Sequence, residues 1–177
     1  GVVYGVYEHY KVTNDKKFLK EVLKMCENAI KFLFIYMDNI LDIHDDSDIV
    51  KNEIEKTYHT ENRNVLPVSY VLWEMNEGEH LYSLSSIYAA FNSMLKIYDV
   101  FKPECEEKNR LKLESINKIT KKIEFYKKEI EKYIDTNMYN VDTKILKRNT
   151  KDDLVDISIL GSVIPFKMYN PKEKRIQ

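Results

Sequence analysis

Apolar residues recur at helical spacing along most of the chain, and the stretches between them are polar. Val2, Val3, Val6, Tyr7 and Tyr10 share one helical face and stop at Thr13-Asn14-Asp15, residue types that can cap a following helix. A second helix is expected from about Asp15 to Met37. Its stripe of Phe18, Leu19, Val22, Leu23, Cys26, Ala29, Ile30 and Leu33 widens into Phe32-Leu33-Phe34-Ile35-Tyr36-Met37, which predicts a buried far end. Asp38 to Pro67 is polar, carries Asp42, Asp45, Asp46 and Asp48, and reads as a surface excursion with a weak helical turn around Asp48 to Thr57. Leu81 to Phe101 is apolar nearly all round, through Leu84, Ile87, Tyr88, Phe91, Met94, Leu95, Ile97 and Tyr98, so this helix needs neighbours on most sides.

Pro103 is expected to open a long charged helix reaching about Ile134. Ile116, Ile119, Ile123, Tyr126, Ile130 and Tyr133 follow each other in alternating steps of three and four. Such steps suit a coiled-coil seam or an amphipathic outer helix, and a run of under three heptads favours the outer helix. Asp135 to Thr150 mixes β-branched residues with Asn/Asp turns and reads as a short hairpin, and Asp152 to Val163 as a last short helix broken at Pro165. Helical hairpins in succession, alternately buried and amphipathic, predict an all-α fold, either a bundle or a toroid. Only four Gly and four Pro in 177 residues point the same way, and the length suits one domain with one core.

Charge and special residues narrow the function classes. Lys and Arg number 28 against 29 Asp and Glu, a net charge of −1, so electrostatics supplies no reason to expect nucleic acid or an anionic membrane. The longest apolar run, Phe32 to Met37, is far too short to span a bilayer. The first residues, Gly1 to Tyr10, lack Met, a charged leader region and a cleavage site, and read as the middle of a helix, so the chain is expected to be a piece of a longer one. Cys26 and Cys105 fall in helical patterns without CxxC spacing and read as core thiols. No Gly-rich phosphate loop, GxSxG elbow or HExxH occurs, and no cofactor is expected. Asp42 to Glu53 has a trace of calcium-loop spacing, but His44 stands in place of an oxygen ligand and Ser47 where the sharp turn wants Gly, so a solvated loop is expected and no metal. His9, His44, His59 and His80 show no ligand spacing; His80 reads as a structural residue at the start of its helix.

The chemistry concentrates in Ser69-Tyr70-Val71-Leu72-Trp73-Glu74-Met75-Asn76-Glu77-Gly78, a polar turn between two apolar helices that holds the only Trp. A carboxyl group packed on an indole loses hydration, which raises its pKa and lets it serve as a general acid near neutral pH. Glycosidic bonds need such an acid for the leaving oxygen, while a second carboxylate attacks the sugar or activates water. Residue types alone favour the plainer reading of a packed Trp73 beside a solvent-exposed Glu74. The thirteen Tyr fit either a sugar-lined cavity or ordinary helix packing. Glu77 and Glu79 read as surface charge in the turn.

Tyr70 to Gly78, followed by His80-Leu81-Tyr82-Ser83, resembles the YDLWEE…G…(Y/F)(T/S) signature of the glucoamylase-like glycoside hydrolases, family 15. Asp156-Ile157-Ser158-Ile159-Leu160-Gly161-Ser162-Val163-Ile164-Pro165-Phe166, followed by Asn170-Pro171, is similar to the DxSLLG…PF…DP segment of that family, in the same order along the chain. Tyr7 to Leu19 is similar to a helix-turn-helix found upstream in archaeal and bacterial members. The resemblance implies a partial (α/α)6 toroid, with about half of its helices in this chain. It implies an inverting exo-glycosidase acting on α-glucosidic bonds of α-glucan, maltooligosaccharide or related glucosides. On the motif, Glu74 matches the general acid, Trp73 the indole beside it and Tyr70 an aromatic substrate-binding position. The resemblance further implies that the base lies beyond Gln177, that a carbohydrate is the ligand, and that the remaining helices of the same domain are the packing partner of this segment. Inner-helix faces left uncovered would make the isolated chain self-associate.

Two departures bear on this. Val71 stands where the family has Asp and Met75 where it has a second Glu that contacts substrate, so Glu74 is left as the sole carboxylate at its position. Inversion needs two carboxyl groups roughly 6.5 to 9.5 Å apart with water between them, and this chain supplies one. The other reading is therefore a noncatalytic or degenerate helical relative that binds sugar or a protein partner.

Overall fold

Side chains of the Asn/Asp type set the helix boundaries. In the computed structural model, which describes residues 1–41, 69–70 and 77–176, helix α1 (Val2–Thr13) ends at Asn14 in the left-handed region, φ 52°. There the Asn14 amide bonds back to the Tyr10 carbonyl. The Asp15 carboxylate then accepts from the Phe18 amide at 2.9 Å and starts α2 (Lys16–Leu41). The chain next forms strands β1 (Ser69–Tyr70) and β2 (Glu77–Gly78), then helices α3 (Leu81–Lys108) and α4 (Arg110–Asn137). A second hairpin, β3 (Tyr139–Asn140) with β4 (Ile145–Leu146), and a 3₁₀ helix at Ile157–Ser162 complete a mostly helical, all-α architecture.

The helix expected to be apolar nearly all round is the centre of the packing, although Lys96 and Asp99 on one side of it are exposed. α3 lies against α1, α2, α4 and the 3₁₀ segment, and buries Leu81, Leu84, Ile87, Ala90, Phe91, Met94, Ile97, Tyr98 and Phe101. Three aromatics from three helices meet in the core. Phe34 of α2 lies 5.7 Å from Phe91 of α3 and 5.2 Å from Tyr126 of α4, and Phe91 lies 6.3 Å from Tyr126, measured between ring centroids. The Lys122 ammonium sits 5.3 Å over Phe34 and 5.6 Å over Tyr126. The Tyr126 hydroxyl donates to the Asp38 carboxylate, which gives the one polar atom of the trio its partner. α4 is the amphipathic outer helix: Ile116, Ile123, Tyr126, Ile130 and Ile134 are buried, Ile119 and Tyr133 partly so.

Pro103 does not open the charged helix. α3 runs through it to Lys108, and the boundary is Asn109, whose backbone leaves the helical region and whose side chain accepts from the Lys112 amide at 3.0 Å. An interior proline forfeits a backbone bond, at a cost of about 3 kcal/mol. The helix persists because Phe101 and Cys105, on either side of Pro103, are both buried and continue its stripe. α2 likewise outruns its expected end at Met37. The turn expected around Asp48 to Thr57 and the loop Asp42 to Glu53 lie outside the described residues.

The last helix is shorter than the pattern predicts. Arg148 holds Asp152 at 2.8 Å and Asp156 at 3.4 Å, and its amide donates to the Leu154 carbonyl at 2.9 Å, so 152–156 serves as an extended strap. Helical turns begin only where Asp156 accepts from the Ser158 amide at 2.8 Å. The hairpin expected within Asp135 to Thr150 is present, with Tyr139 opposite Leu146 and Asn140 opposite Ile145. Cys26 and Cys105 are free and buried, and burial pushes the Cys26 thiol up to about 11. No described helix is long and apolar enough to cross a membrane.

Phe91→Ala, which removes the central ring, should lower the unfolding free energy by about 3–5 kcal/mol in urea titrations, whereas Phe125→Ala on the outer face should stay within about 0.5 kcal/mol. Gly161→Ala should cost about 1–3 kcal/mol in the same assay. A Cβ at that position would lie 2.4 Å from Tyr82 Cδ2 and 2.6 Å from Cε2.

Candidate functional site

The segment expected to carry the chemistry is bracketed by strands. Ser69 pairs with Gly78 and Tyr70 with Glu77, antiparallel, so a two-stranded hairpin replaces the plain turn between helices that the pattern predicts. Tyr70 is in β1. Trp73 and Glu74, with Val71 and Met75, lie outside the described residues. The hairpin leads directly into a buried junction. Glu79 carbonyl oxygen accepts from the Thr150 amide at 3.2 Å, His80 pairs with Asn149 in an antiparallel bridge, and the Leu81 amide donates to the Arg148 carbonyl at 3.0 Å. Residues 79–81 thus run alongside 148–150 before α3 begins.

Asn149 braces the other side of this junction. It is buried, and its side-chain oxygen accepts from the Lys151 and Asp152 amides, both at 3.0 Å. His80 is 1% exposed and stands at the N-cap of α3 without making a side-chain cap bond. It is held there by burial and by its backbone pairing with Asn149.

Glu79 departs from expectation. It is no surface charge: its Oε2 accepts a short hydrogen bond from the Tyr133 hydroxyl of α4 and another from Thr150 Oγ1 at 3.1 Å. Burial first, and then the bond to Glu79, push the Tyr133 hydroxyl far above its ordinary value, so at neutral pH it remains a donor to this carboxylate. The partners are 54 and 71 residues away, and no local spacing signals them.

The two motif-bearing segments meet at the same end of α3. Tyr82 covers Gly161 and sets its ring edge to Phe166 at 5.0 Å, and the Ser85 hydroxyl contacts Met168 Sδ at 3.6 Å. Tyr4 of α1 joins them, its ring 6.0 Å from Phe166 and its hydroxyl donating to the Pro165 carbonyl at 3.3 Å. The turn between α1 and α2, which carries the third similar segment, is held by His9 edge-on to Phe18 at 4.8 Å. Among the described residues no group of three His, Cys, Asp or Glu side chains could hold a metal ion. No protein-family model, curated protein or solved structure matches the chain.

Tyr133, Tyr88, Tyr98 and Tyr169 all have hydroxyls raised chiefly by burial, Tyr169 to about 12. A group whose folded value lies above its unfolded one near 10 leaves stability intact below about pH 10, and that stability is lost as the pH climbs toward the folded value. Unfolding midpoints in urea should therefore fall steeply above about pH 10, and Tyr133→Phe should make the fall shallower.

Proposed function

We propose that this chain is the acid-bearing part of a glucoamylase-like inverting exo-glycosidase acting on α-glucosidic bonds of α-glucan, maltooligosaccharide or related glucosides, and that its helices belong to an (α/α)6 toroid. The supporting observation is the meeting of the two motif-bearing segments, far apart in sequence, where Tyr82 lies on Gly161 and against Phe166. Segments of one active-site wall have to converge in this way, at the end of the helix that follows the acid.

In this reading Glu74 gives its proton to the glycosidic oxygen as the bond from that oxygen to the anomeric carbon breaks. Water forms the new bond from the opposite face and loses its proton to a second carboxylate supplied from elsewhere in the polypeptide. Trp73 desolvates Glu74 and keeps it protonated, and Tyr70 lines the sugar site.

Val71 and Met75, which replace two pocket carboxylates of the family pattern, favour a second reading, a sugar-binding relative without turnover. Trp73, the only Trp in the sequence, is a reporter of sugar binding, and glucose release separates the two readings. Maltotriose should shift its emission saturably in either case, but only the glycosidase releases glucose. In the full polypeptide that carries this segment, Glu74→Gln should lower kcat on maltooligosaccharides by about 10²–10⁴-fold with sugar binding kept. An unchanged rate would remove Glu74 from the mechanism.

A further inference from the structure

We propose that a cleft at the C-terminal end of α3 binds a small phosphomonoester with a compact apolar body. The cleft has a volume of about 270 Å³ and lies where α2 passes the corner between α3 and α4. The junction around Glu79 and this cleft occupy opposite ends of α3, a helix about 40 Å long, so binding here is independent of the glycosidase reading.

Positive charge gathers at the cleft without being neutralised. Its rim carries Lys20, Lys108 and Lys112 against a single carboxylate, Glu104, three charges to one and a net of +2. Glu104 is already shared between Lys16 at 3.7 Å and Lys20 at 3.8 Å. Lys108 and Lys112 make no ion pair among the described residues. Lys108 closes α3, where the helix dipole favours a cation. Lys112 has no such reason to be where it is. It stands in the first turn of α4, at the positive end of the dipole, and that turn holds no acidic residue. Arg110 in the same turn is occupied by Glu114 at 3.3 Å. An anion in the cleft would relieve this crowding of like charge.

The floor decides what kind of anion fits. Leu23, Phe101 and Cys105 are buried core residues whose outer edges line the cleft, so a bare ion would leave apolar surface wet. The volume falls just below the roughly 300 Å³ at which drug-sized sites begin, room for a head group with one ring or a short chain. A phosphomonoester carries about −1.5 to −2 near neutral pH, which matches the rim, and offers three acceptor oxygens to ammonium donors. A carboxylate would leave one of the two excess charges uncompensated.

The test titrates para-fluorophenyl phosphate into the full polypeptide that carries this segment, following the fluorine resonance, with inorganic phosphate as competitor. Saturable binding is expected. Lys108→Gln combined with Lys112→Gln should weaken it by about tenfold or more. Lys121→Gln combined with Lys128→Gln removes the same charge from exposed positions of α4 away from the cleft, and should leave binding within about twofold. Inorganic phosphate should displace the probe only at about tenfold higher concentration, because it leaves the apolar floor unused. Absence of saturable binding would overturn the proposal, as would equal weakening in the two double variants, which would reduce the contact to bulk charge. Inorganic phosphate binding as tightly as the ester would overturn it as well and leave an adventitious ion only.

Discussion

One helix that is buried along most of its faces dictates the arrangement of the others. α3 buries apolar side chains on most of its circumference and leaves a stripe with Lys96, Asp99 and Glu106 exposed, and an apolar surface left in water costs about 25 cal/mol for every Å². The chain answers with α1, α2, α4 and the 3₁₀ segment, each contributing a narrower apolar stripe, so the outer helices need only be amphipathic. The aromatic trio of Phe34, Phe91 and Tyr126 is where three of these stripes converge. Its sole hydroxyl is satisfied at the edge by Asp38, and the core stays apolar.

Helical periodicity made most of this visible in advance, because burial on one face writes itself into residue spacing. The stripe from Phe18 to Leu33 and the steps from Ile116 to Tyr133 both correspond to faces turned toward α3. Where local rules misled, longer-range packing had outweighed them. Pro103 looks like a helix start by its own chemistry, yet Phe101 and Cys105 keep the turn around it buried and the break falls at Asn109. Asp152 to Val163 looks helical by composition, yet Arg148 draws two of its aspartates into ion pairs and leaves only Ile157 to Ser162 to coil.

The junction around Glu79 was invisible for a different reason. A Glu beside a glycine in a polar stretch reads as solvated, and its two hydroxyl partners carry no periodic signal. By contrast, the resemblance that singles out Tyr70, Trp73 and Glu74 draws on residue order alone, and of these the described structure contains only Tyr70. Its second segment, from Asp156 to Phe166, is where sequence and three-dimensional arrangement bear on each other, since it comes to rest on the residues that follow the hairpin.

The contact of Gly161 with Tyr82 leaves no space for even one methyl group between them. The two positions therefore share a single volume, although one opens the long central helix and the other lies in the 3₁₀ helix about eighty residues further along the chain. In any descendant of this sequence, a larger residue at 161 would require a smaller one at 82, and the two segments are bound to change as a unit. A steric exclusion of this kind links the histories of two stretches of chain without any hydrogen bond or charge between them.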